Sequence, residues 1–114
     1  MSKTIFGKIA AKEIPAKLVY EDDRVVAFRD INPQAPVHIL IIPREEIARV
    51  SDTKPAHEAL LGHLVWVASE VARREGVEST GYRLVINNGP DAGESVPHLH
   101  VHLLAGRALG WPPG

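Results

Sequence analysis

Pro97-His98-Leu99-His100-Val101-His102-Leu103-Leu104 decides the reading of this chain. Three of its six histidines stand here, at every second position. An extended backbone sends successive side chains to opposite faces, so residues two apart share a face about 6.6 Å apart. The alternation predicts a half-buried strand. Leu99, Val101 and Leu103 would enter a core, and His98, His100 and His102 would form an imidazole row on the open face. Such a row has two sharp uses. It can offer ligands to a metal such as zinc, or it can hold one imidazole as a nucleophile assisted by the others.

The preceding stretch, Asn87-Asn88-Gly89-Pro90-Asp91-Ala92-Gly93-Glu94-Ser95-Val96, favours the nucleophile. Its glycines and Asn-Gly step allow tight or positive-φ backbone. A loop of this kind can aim several N–H groups at one point and cradle an anion. Ser95 adds a hydroxyl and Asn87 an amide. Anion-binding backbone beside imidazoles suits phosphorus chemistry, because neutral imidazole attacks a phosphate centre and the resulting P–N bond is labile to water.

Composition sets the frame. At 114 residues the chain is expected to form a single domain, residues 1–114, with a C-terminal tail from about 106 to 114. Its net charge of −1 gives no basic surface for duplex nucleic acid. The absence of cysteine removes disulfides and Cys-based metal sites. Met1-Ser2-Lys3-Thr4 lacks a signal-peptide pattern, and no apolar run reaches the ~18 residues of a membrane span, so a cytoplasmic location is expected.

The element pattern is α+β. Thr4 can cap a short helix through Lys12 that stops before Pro15. Lys17 to Tyr20, an acidic turn at Glu21-Asp22-Asp23, and Val25 to Phe28 make a hairpin. Val37 to Ile42 is a β-branched strand ended by Pro43, and a helical turn is expected from Glu45. A long helix runs from about Pro55 to Gly76, with Leu60, Leu61, Leu64, Val65, Ala68, Val71 and Ala72 at helical spacing. Tyr82 to Asn87 is the next strand.

These residues resemble a known family. His98-Leu99-His100-Val101-His102-Leu103-Leu104 matches the His-φ-His-φ-His-φ-φ pattern of the histidine triad (HIT) superfamily, where φ is apolar. Ile5-Phe6-Gly7-Lys8-Ile9, Asp30-Ile31-Asn32-Pro33-Gln34-Ala35-Pro36, His38, Leu60-Leu61-Gly62-His63-Leu64 and Trp111-Pro112-Pro113-Gly114 resemble its Hint branch, and the likeness spans essentially the whole chain. The resemblance implies a HIT-like fold: a five-stranded antiparallel sheet with one long and one short helix. It further implies a homodimer, in which two sheets join into ten strands and each tail reaches toward the partner's site.

It also implies the activity of a purine nucleoside phosphoramidase, a nucleotide-binding hydrolase. His100 would attack the α-phosphorus of a nucleoside 5′-phosphoramidate to give a nucleotidyl-histidine, which water then resolves to AMP or GMP. The backbone carbonyl of His98 would orient His100. His102 and Ser95 would hydrogen-bond the phosphate or the departing amine, and amides near Gly93 to Ser95 would hold its oxygens. No metal or other cofactor is expected.

Several residues carry two readings. His38, among apolar strand residues, reads by itself as a satisfied core histidine; the resemblance places it in the site. Asp30 is a turn-former or an acceptor for ribose hydroxyls. Phe6, Phe28 and Ile31 are ordinary core candidates, and the resemblance makes them the slot for the base, with Asn87, Gly93, Glu94 and Trp111 as further substrate contacts. His57 and His63 are given no catalytic role. Ala92, Glu94 and Ala105 depart from Hint relatives, which usually carry glycine, glutamine and glycine there. Glu94 either faces solvent or puts a carboxylate beside the phosphate. The alternatives are a dinucleoside polyphosphate hydrolase or nucleotidyl transferase of the same superfamily, a non-catalytic nucleotide-binding protein, and a zinc hydrolase using the triad as ligands.

Overall fold

The computed structural model describes residues 3–114. Helix α1, Ile5–Ala10, starts at Thr4, whose hydroxyl accepts the Gly7 N–H at 3.0 Å. That bond satisfies one of the orphan donors of the first turn. The chain leaves the helix through Lys12, at φ 62°. Strands β1 (Leu18–Glu21) and β2 (Val25–Arg29) form the expected hairpin. Asp22 makes its turn by accepting the Arg24 and Val25 N–H groups at 2.8 Å each. Strand β3 is Val37–Pro43, helix α2 is Glu58–Arg74, β4 is Tyr82–Val85 and β5 is Val101–Ala105.

The five strands form one antiparallel sheet in the order β1-β2-β3-β5-β4. Its two faces have separate cores. Leu64, Val67, Ala68 and Val71 of α2 pack on Val25, Ala27, Ile39, Ile41, Val101 and Leu103. On the opposite face, Ile9 and Ala10 of α1 cover Val26, Phe28, Leu40 and Ile42. β3 sits in the middle with both faces covered, which accounts for its nearly continuous apolar run. The β3–β5 register pairs Leu40 with His102 and His38 with Leu104. His38 and His102 therefore share the α1 face as diagonal neighbours.

Three expectations need correction. The segment from Glu45 makes no helical turn; the first is a short 3-10 turn at Val50–Asp52. The long helix begins as a 3-10 turn at Pro55–His57 before α2. And His98 to His100 are not part of the strand, which begins at Val101. The Leu99 N–H bonds the Ile47 carbonyl at 2.7 Å, so this segment runs beside the chain after β3 instead of extending along β4. β4 consequently ends at Val85, paired with His102, two residues short of Asn87.

Candidate active site

The histidines are not an open row. His98 is fully buried, and His38 and His100 are 6 % exposed. Leu99, Val101 and Leu103 do enter the core. The partners of each ring determine its tautomer, because a carbonyl only accepts and an amide N–H only donates.

His98 donates from Nε2 to the Pro43 carbonyl at 2.8 Å. Its Nδ1 then accepts from the Thr4 hydroxyl at 2.9 Å, while that hydroxyl itself accepts the Gly7 N–H. The helix cap thus extends through His98 into β3. His100 donates from Nδ1 to the His98 carbonyl at 2.7 Å, which leaves a lone pair on Nε2 when the ring is neutral. Among the described residues no fully buried side-chain nitrogen lacks a hydrogen-bond partner, and Nε2 of His100 has none, so that nitrogen is not sealed in the interior.

A second relay fixes His102. The Gln34 N–H donates to Nδ1 of His38 at 3.0 Å, so the proton of His38 sits on Nε2. That Nε2–H lies 2.9 Å from Nδ1 of His102, which accepts it. His102 accordingly keeps its own proton on Nε2 as a donor. Burial, reinforced by the charges of His100 and His38, pushes the His102 ring down to about 4. Burial also lowers His38, against the opposing charge of Asp30, and lowers His98. Rings in fixed orientations, one able to present a lone pair and one a proton, are what a two-step displacement at phosphorus requires.

Asp30 makes the turn, and its second oxygen faces His38. Its Oδ1 accepts the Asn32 N–H at 2.8 Å, a turn bond, and its Oδ2 lies 3.5 Å from Nε2 of His38. A cleft of about 650 Å³ opens beside it, lined by Pro15, Lys17, Arg29, Asp30, Ile31 and His38 among others. Ile31 stands at its mouth, almost fully exposed. Phe6 and Phe28 meet edge to face at 5.5 Å, and Phe6 meets the His100 ring at 5.0 Å. Phe28 is buried, and Phe6 lies between it and the His100 ring. Trp111 is 82 % exposed in the single chain.

The loop before the triad differs from its expected form. Gly89 and Gly93 take positive φ, 88° and 82°. But the amides of Ala92, Gly93 and Glu94 bond carbonyls within the loop, to Gly89, Pro90 and Gly89 respectively. These three are spent on the turn, which leaves the Ser95 N–H, without a hydrogen-bond partner among the described residues, as the amide of the expected set that is open to an anion. Ser95 is exposed beside it, Asn87 is partly buried, and the neighbouring Asn88 accepts the Ser51 N–H at 2.8 Å. Glu94 does not face solvent. It forms a two-pronged ion pair with Arg49 at 2.9 Å and accepts the Gly89 N–H at 3.0 Å. Those bonds hold its carboxyl down at about 2. Arg49, Thr4 and the Gln34 amide are the partners that sequence reading missed; Arg49 and Thr4 lie 45 and 94 residues from the groups they serve, and Gln34 lies four from His38.

Asp30, His38 and His102 also place donor atoms within 4.8 Å of one another, the one such group among the described residues that is close enough for a metal ion.

The sequence profile of the HIT domain matches residues 11–109. A protein of Zea mays named 14 kDa zinc-binding protein is 56 % identical over 99 % of this chain and 89 % of its own length. Adenylylsulfatase HINT1 of Arabidopsis thaliana is 52 % identical over 99 % of this chain and 78 % of its own. The crystal structure of a HIT family hydrolase from Legionella pneumophila superposes with a TM-score of 0.95 at 47 % identity, covering 98 % of this chain and all of that one.

Proposed function

The chain belongs to the HIT domain family, and from that premise we propose that it hydrolyses the phosphorus–nitrogen bond of purine nucleoside 5′-phosphoramidates. The observation that carries this is the His98 carbonyl on Nδ1 of His100, which leaves Nε2 free as the nucleophile.

Nε2 of His100 attacks the α-phosphorus, a P–N bond to the ring forms, and the bond to the amine breaks. The amine leaves with a proton, and Ser95 is the candidate for delivering it, directly or by relay. The Nε2–H of His102 donates to a phosphate oxygen and offsets the charge that accumulates there. Water then breaks the P–N bond to His100 and releases AMP or GMP. Asp30 accepts the ribose hydroxyls at the cleft, with Phe6, Phe28 and Ile31 toward the base. Splitting one displacement into two lowers each barrier. The Legionella hydrolase supports hydrolysis as the reaction class, and the adenylylsulfatase of Arabidopsis supports an adenylyl compound as the substrate.

A homodimer is part of the same reading. Val65 and Trp66 on the outer side of α2 are 48 % and 56 % exposed, and β4 is a sheet edge with unpaired backbone. A twofold contact there would cover both, and would set each exposed Trp111 tail near the other site.

Zinc is a second reading, raised by the name of the maize relative. The donor set as hydrogen-bonded does not fit it. Nε2 of His38 carries a proton and so has no lone pair for a metal, and both nitrogens of His98 are engaged. No step is routed through a metal.

Turnover on an adenosine phosphoramidate, a diadenosine polyphosphate, a nucleotide sugar and adenylyl sulfate tests the proposal. Fastest hydrolysis of the phosphoramidate supports it. Preference for any other substrate, or dependence of turnover on added zinc, contradicts it.

A further inference from the structure

The loop that carries Ser95 is tied down from outside. Glu94 is 11 % exposed at its side chain, and each prong of its pair with Arg49 measures 2.9 Å. The same carboxylate accepts the Gly89 N–H, closing the loop on itself. Asn88 adds a second tie, to the Ser51 N–H. Both ties end on residues 49–51, and that segment follows Ile47, whose carbonyl holds Leu99 between two triad histidines. Loop and nucleophile therefore share one support.

We propose that Arg49 and Glu94 form a charge-neutral clamp that positions the Ser95 loop and keeps the approach to His100 free of an unpaired charge. This rests on the phosphoramidate reading for the identity of the bound phosphate. Glu94 is a positioning residue: its carboxylate reaches the substrate only through Arg49 and the loop. Arg49 also meets Asp52 at 3.1 Å, so losing Glu94 leaves a partly compensated cation, and losing Arg49 leaves an uncompensated carboxylate beside a phosphate.

The two single substitutions therefore carry opposite electrostatic signatures on one shared mechanical defect. Glu94→Gln should tighten AMP, and Arg49→Gln should weaken it, each by about threefold, the scale of a partly exposed ion pair. Both should lower kcat on an adenosine phosphoramidate by about tenfold or more, because small misplacement of reacting groups is costly. The double variant Arg49→Gln/Glu94→Gln, in which two amides can bond each other and Gly89, should return both values to within about twofold of the original. AMP affinity is read by calorimetry and needs no turnover, so it reports on the clamp even if phosphoramidates are not hydrolysed. Failure to hydrolyse them with the opposite AMP shifts intact overturns the reaction and keeps the clamp. AMP shifts of the same sign, single effects that simply multiply in the double variant, or no AMP binding by the original protein overturn the clamp.

Discussion

At the residue scale, each imidazole has one role because a neighbour has claimed its other nitrogen. The His98 carbonyl claims Nδ1 of His100, and the Gln34 amide claims Nδ1 of His38. The first bond is the one the family resemblance implies; the second is not visible in residue types, since any residue at position 34 other than proline supplies the same N–H. Asp30 gives a prediction at this scale. Its Oδ1 is held by the Asn32 N–H and its Oδ2 faces His38. Asp30→Asn replaces a charged acceptor, and a hydrogen bond to a charged group contributes about 1.5–3 kcal/mol. Affinity for AMP should fall more than affinity for its 2′,3′-dideoxy analogue. Equal losses for the two ligands, measured by calorimetry, would reduce Asp30 to its turn.

At the element scale, local signals served well wherever a local bond makes the structure. Thr4 caps α1, Asp22 makes the β1–β2 turn, and the spacing of Leu60, Leu64, Ala68, Val71 and Ala72 gives α2 its buried face, although Val65, read with them, is 48 % exposed and Val67 is buried instead. The start of β5 was not legible, because the Leu99 N–H finds Ile47 across 52 positions of chain and the alternation His-Leu-His-Val-His continues through the point where pairing to β4 stops. Glu94 misled for a similar reason: Arg49 is 45 residues away. A prediction concerns the end of β5. Gly106 has φ 93°, and a Cβ there would stand 2.7 Å from Cβ of Pro36, a fairly rigid ring. Gly106→Ala meets a backbone penalty and a clash together, so stability should fall by about 1–3 kcal/mol. An unchanged denaturant midpoint would show that the chain after Ala105 relaxes freely.

At the scale of the whole molecule, the helices divide the sheet's labour. α2 packs one face of the sheet, while α1 packs the other and leaves room there for His38, His100 and His102. Burying neutral histidines makes stability depend on pH. The folded-state values of His38, His98 and His102 lie below the ordinary 6.5, His102 at about 4. The unfolded chain therefore binds more protons as pH falls below 6.5, and stability drops over the window from 6.5 toward 4. Glu94, held down at about 2, acts lower, with stability lost as pH falls below its ordinary 4.5. Calorimetry should thus give a lower Tm at pH 5 than at pH 7, and His102→Gln should shrink the difference. An equal or larger difference in that variant would contradict the assignment. The exposed Val65 and Trp66 on α2 predict a second whole-molecule property. Sedimentation at micromolar concentration should give twice the 12.5 kDa chain mass, shifted toward the single chain by Trp66→Ala; a single-chain mass for the unaltered protein would refute the dimer.

The most direct test of the covalent account is to trap the intermediate. The protein is mixed with an adenosine phosphoramidate, quenched in alkaline denaturant within the first turnover, and peptide-mapped by mass spectrometry. His100 Nε2 is the free lone pair in the site, so an adenylyl group should be found on His100, with neither adduct nor turnover in His100→Ala. An adenylyl group on any other residue, or near-normal turnover by His100→Ala, would contradict it.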